Sequence, residues 1–158
     1  MITKILFCFV IIFSGGSMNS KNNANSICDY FSNISNIATY TNEGKSLYFR
    51  GDDKFEALLS ALKTITDNSH DMPAYGVAQD KDVIEAKKNG TWIELVFDKT
   101  EIFNEMPFDA LLIEVKSEDS GFNLIRKHNG KYDGRCFYLS LSGNMKPLFD
   151  KINEVSRV

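Results

Sequence analysis

GFNLIRKHNGKYDGRCFYLSL, residues 121–141, is the stretch whose reading decides the fold. Asn129-Gly130 is a two-residue turn signal flanked by alternating side chains, and it predicts a β-hairpin. With that turn His128 faces Lys131, Lys127 faces Tyr132, Arg126 faces Asp133 and Phe122 faces Phe137. Cross-strand partners share a sheet face, and so do residues two apart. Phe122, Leu124, Phe137, Leu139 and Leu141 then form an apolar base over a core, and Arg126, His128, Lys131 and Asp133 form a charged tip. Arg135 interrupts the apolar face between Asp133 and Phe137; a bulge at Asp133-Gly134 would re-aim it. Cys136 points to the other face, with Tyr138 and Ser140.

Upstream, the same alternation predicts strands over Ala110–Lys116 and Thr91–Phe97. Asn89-Gly90 predicts a further hairpin, which makes Val83–Lys88 its first strand. Two short strands, Ala38–Tyr40 and Ser46–Phe49, are expected on either side of Thr41-Asn42-Glu43-Gly44. Phe55, Leu58, Leu59, Leu62 and Ile65 recur at helical spacing behind Asp52 and Asp53, which predicts a capped helix to Thr66. Ile27, Tyr30, Phe31, Ile34 and Ile37 show that spacing over 27–37. Leu148, Phe149, Ile152 and Val155 predict a helix over 146–155, with Pro147 in its first turn. Met-Pro pairs at Met72-Pro73 and Met106-Pro107 read as strand-entry loops, which makes Tyr75 and Phe108 exposed-aromatic candidates. The expected fold class is α+β: an antiparallel four- to six-stranded meander sheet packed by a helix from the N-terminal half and a short C-terminal helix. At the level of element order alone this is similar to the cystatins. Their Gln-x-Val-x-Gly loop is absent and the C-terminal helix departs from their pattern, so the resemblance implies nothing about function.

The first residues predict export. Lys4 precedes an unbroken apolar run from Ile5 to Phe13, followed by Ser14-Gly15-Gly16-Ser17. That is the order of a secretory signal peptide, and the run is far short of the ~20 residues a membrane span needs. The expected organisation is a signal peptide over 1–17, a polar flexible segment over 18–26 and a single α+β domain over 27–158. The expected location is secreted or cell-envelope, with no stable membrane span after cleavage. Cys8 would leave with the signal. Cys28 and Cys136 would remain as an even pair in an oxidising compartment, either bonded or as two separate buried thiols. A bond would close a loop of about a hundred residues, nominally ~4–5 kcal/mol in the chain-entropy account.

The net charge of −3 excludes a basic nucleic-acid footprint, and nothing points to a nucleic-acid partner. Phosphate-cradling glycine motifs and a nucleophile elbow are absent, so no cofactor is implied. A Cys136–His128 pair has the residue types of thiol catalysis, but the two fall on opposite faces. Glu94 and Glu114 on adjacent strands are the residue types of acid–base work, which needs one buried carboxyl with a raised pKa. His70, His128, Cys28 and Cys136 are zinc-ligand types without local spacing. The alternative is a binding face: Trp92, Glu94, Leu112, Glu114 and Tyr138 share the sheet side away from the helices if strand order follows the chain, against a second small core as the plainer reading. The candidate binding residues are therefore Trp92, Glu94, Glu114, Arg126, His128, Arg135 and Tyr138. The expected function is a non-catalytic module binding a protein or small ligand, with a small secreted hydrolase using carboxylates or Cys136 and His128 as the alternative.

Overall fold

The computed structural model describes residues 26–73 and 76–157. The segment expected as a signal peptide lies outside the described residues, as do Tyr75 and all of the polar segment except Ser26. Ser26 caps a 3-10 helix, Ile27–Asn33, through a reciprocal capping box with Asp29. Strands β1 (Ile34–Thr41) and β2 (Gly44–Phe49) follow as a hairpin, then α1 (Asp53–Thr66), β3 (His70–Met72), β4 (Val77–Ala78) and α2 (Asp80–Ala86). Next come β5 (Trp92–Phe103), β6 (Met106–Glu114), β7 (Gly121–His128), β8 (Lys131–Tyr132), β9 (Gly134–Arg135), β10 (Phe137–Ser140) and α3 (Lys146–Ser156).

The fold is α+β with an eight-stranded antiparallel sheet in the order β2-β1-β5-β6-β7-β10-β3, with β8 paired to β7; β4 and β9 form a separate small ladder. One face carries the main core. Ile37, Ile93, Leu95, Leu111, Ile113, Phe122, Leu124 and Leu139 meet Phe31 of the 3-10 helix, Phe55, Leu58 and Leu62 of α1, and Leu148 and Ile152 of α3. Apolar stripes on three helices bury one face of the sheet, at ~25 cal/mol for each Å² of apolar surface removed from water. The opposite face carries a smaller cluster, Ala78, Val83, Trp92, Leu112, Tyr132 and Cys136, beneath α2 and the β4–β9 ladder.

Three local expectations change. Helical spacing over 27–37 holds only to Asn33, where a bulge between Ile34 and Asn36 lets both Ile34 and Ile37 reach the main core from a strand. Val83–Lys88 is not a strand: Asp80–Ala86 is a helix with Asp80 and Asp82 in its first turn, and Gly90 at φ +80° follows its end. Strands β5 and β6 are longer than their patterns showed and meet at Asn104-Glu105, both left-handed at φ 48° and 63°. Met106-Pro107 is thus inside a hairpin, and Phe108 is wholly buried instead of exposed.

The opening hairpin forms with its predicted tip register, Lys127 opposite Tyr132 and His128 opposite Lys131. Below the tip the register shifts by two: Phe137 meets Leu124 and Leu139 meets Phe122. Gly134 and Arg135 leave β7 and pair with Val77 and Ala78. A shift of two preserves the faces, so the apolar base stays in the core. Gly134 is required there, with φ +86° and a position where any Cβ would stand 2.8 Å from the Arg126 guanidinium.

Candidate functional site

The α2-covered face holds the densest set of charged and hydroxyl groups. Glu94 is the third residue of β5, with only 3% of its surface exposed. Its register partners, Ala38 on β1 and Leu112 on β6, are small or apolar, so its carboxylate must find partners from further away. Tyr40 donates to Oε2 at 2.7 Å and Tyr132 to Oε1 at 2.5 Å. Lys127 Nζ stands 3.2 Å from the same Oε1. Lys87, at the end of α2, donates to the Tyr132 hydroxyl at 2.8 Å. Its ammonium sits 3.9 Å from the Tyr40 ring centre and 4.8 Å from that of Tyr132, cation–π range for both. Lys127 also lies over the Tyr132 ring, and Lys45 over Tyr40. Asp80 accepts from the Tyr132 backbone and fixes that strand under α2.

The electrostatics follow from this geometry. Burial is the largest influence on Glu94 and pushes its carboxyl up. The hydroxyls of Tyr132 and Tyr40 and the ammoniums of Lys127 and Lys87 outweigh it and hold the group below the ordinary carboxylate range. Both tyrosines are pushed well above their ordinary value, first by burial and then by the carboxylate they donate to. Burial lowers Lys87; Glu94 opposes this and Lys127 and Lys45 add to it.

The candidate residues from sequence divide. Glu94 is central. Trp92 is on the expected face but 4% exposed, packed in the small core with its indole donating to the Asn89 carbonyl at 2.7 Å; it is interior, not part of a binding surface. Glu114 is opposite Trp92, not Glu94, and pairs with Lys116 at 2.9 Å, so the two glutamates form no acid–base pair. Tyr138 is on β10, opposite Asn123 and Met72, three strands away from the β5 strand that carries Glu94. Arg126 does not meet Asp133 as expected: it donates to the carbonyls of Arg135 at 2.7 Å and Pro107 at 2.8 Å, because the shifted register removes Asp133 from the ladder. Arg135 is exposed on the β9 ladder. His128 Nδ1 faces Asp109 Oδ2 at 3.2 Å, and Asp109 also accepts from Thr100 at 2.6 Å.

Cys28 and Cys136 are both free thiols. Cys28 packs against the main core near Ser69 and Cys136 is buried in the small cluster, and no bond joins them in this structure. Burial pushes the Cys136 thiol up despite Arg126 and a backbone hydrogen bond at Ala78. Among the described residues no group of three metal-ligating side chains converges, and no helix is long and apolar enough to cross a membrane.

Tyr40, Lys45, Lys87, Lys127, Tyr132 and Asp109 are site residues that sequence reasoning missed. Tyr132 and Lys127 were accessible: their pairing and face follow from the Asn129-Gly130 turn. Lys87 was hidden by assigning α2 as a strand. No family model matches this chain, and no curated protein or solved structure matches it, so the cystatin-like element order gains no support.

Proposed function

We propose that the chain is an exported, non-catalytic binding module. The observation that carries this is the state of Glu94. Its carboxylate is held ionised, with both oxygens engaged by tyrosine hydroxyls and a lysine. A general acid or base needs a free position and a pKa near the working pH, and every influence except burial moves Glu94 away from both. Cys136 fits no better as a nucleophile, since an active thiol requires a lowered pKa and a neighbouring base. The Lys4–Ser17 pattern supports export.

A second reading, a small secreted hydrolase, has one observation in its favour: the Thr100–Asp109–His128 chain has the form of an oriented base. It lacks a nucleophile, because His128 continues the main-core face of β7 while Cys136 packs in the opposite cluster.

The test is mass spectrometry of protein exported by its own host, alkylated with iodoacetamide under native conditions. The expected product is cleaved near Gly16-Ser17, with Cys136 unlabelled until denaturant is added. Rapid native labelling of Cys136 would overturn the non-catalytic reading, and an uncleaved chain would overturn export.

A further inference from the structure

Lys87 from the end of α2 stands over both the Tyr40 and Tyr132 rings, with Lys45 from β2 over Tyr40 and Lys127 from β7 over Tyr132. Of these three lysines only Lys127 has a carboxylate within ion-pair distance among the described residues, and that carboxylate, Glu94, is already engaged by two hydroxyls. Lys87 has a tyrosine hydroxyl as its polar partner, and Glu94 and then Asp80 act on it only at longer range. Lys45 is exposed and Lys87 and Lys127 are half-buried, whereas Glu94 is buried. Three cations on three separate elements, held by rings beneath them, are electrostatically incomplete.

We propose that this lysine triad binds a tetrahedral oxyanion, a phosphate or sulfate group carried by the ligand of the module. The inference rests on the binding-module reading and deepens it. An oxyanion accepts charge-assisted hydrogen bonds from several ammoniums at once. The tyrosine rings pre-position Lys87, and Glu94 anchors Lys127, so less side-chain freedom is lost on binding. Glu94 and Asp80 temper the positive field, which favours a single compact oxyanion over an extended polyanion.

The test is calorimetric titration of the full chain with inorganic phosphate at low, fixed ionic strength, alongside co-sedimentation with phosphatidylglycerol vesicles. The expected result is saturable binding that weakens roughly tenfold or more in Lys87→Gln, since a charge-assisted hydrogen bond contributes about that factor. Lys45→Gln, an exposed change that leaves the fold alone, should weaken it several-fold. Lys63→Gln, on α1 over the other sheet face, should leave it unchanged. Binding of inorganic phosphate alone assigns a free ligand, and vesicle binding that depends on the same lysines assigns a headgroup. No binding in either arm, or equal weakening by Lys63→Gln, overturns the proposal. In that case an inert Cys136 leaves the module reading standing, whereas a reactive Cys136 removes that reading by itself.

Discussion

The two faces of one sheet are held by different physics. On the face covered by the 3-10 helix, α1 and α3, strand side chains meet helix stripes in a continuous apolar core, with Tyr30, Phe97, Phe103, Phe108 and Phe137 in edge-to-face contact. On the face covered by α2, a short helix and a small ladder leave too little apolar surface for such a core. There a buried carboxylate, two tyrosines and two lysines join a small cluster that holds Trp92. The first arrangement depends on volume and tolerates charge changes around it. The second depends on protonation and geometry.

Substitutions sharpen that contrast. Phe108→Ala removes a wholly buried ring from the aromatic cluster and should cost ~3–5 kcal/mol by denaturant unfolding, with no change in the pH profile. Glu94→Gln should cost ~2–3 kcal/mol, because it keeps the volume but strips the lysines of their counter-charge and leaves the hydroxyls with a poorer acceptor. Equal costs at every pH for Glu94→Gln would erase the distinction between the faces. Tyr40→Phe removes one donor to Glu94 and should cost ~1 kcal/mol. At the small end, Lys88→Ala breaks an exposed pair with Glu85 and should leave stability unchanged within error.

The pH dependence follows from the same network. Glu94 is held below its unfolded pKa, so on acidification the unfolded chain takes up the proton first. Its contribution is present above the ordinary glutamate value of ~4.3 and is lost as pH falls through the lower folded value. Tyr132 and Tyr40 are raised, so their contribution is present below ~10 and is lost as pH rises beyond it. Thermal melts should therefore show both flanks in the native sequence, and the acid flank should flatten in Glu94→Gln.

How much of this was legible in the sequence depended on whether a local signal had one meaning. Asn129-Gly130 forms the predicted turn, both residues left-handed, and the alternation on either side placed the main core correctly. Asn89-Gly90 carries the same letters, but a left-handed glycine also ends a helix, and the segment before it is α2. Asn104-Glu105 turns with no glycine, so the longest hairpin left no signal and Phe108 was placed outside. Asp52 stands at the expected start of α1, yet its side chain accepts from the Phe49 N–H at the end of edge strand β2 and not from the helix. The candidate site was half legible for the same reason: Glu94 lies on a strand that alternates cleanly, whereas Lys87 reaches it from the misassigned helix. The two-residue slip at Gly134 that frees Arg126 from Asp133 depends on β4, which no pattern announced.

The most direct test is a nuclear magnetic resonance titration of the Glu94 side-chain carboxyl in the folded protein. A midpoint below the ordinary glutamate range of ~4.3 is predicted, with the tyrosine hydroxyls bound to an ionised carboxylate throughout the neutral range. A midpoint displaced upward toward neutrality would contradict the account, because Glu94 would then be poised to exchange a proton, and the network around it would be catalytic machinery and not a platform for binding.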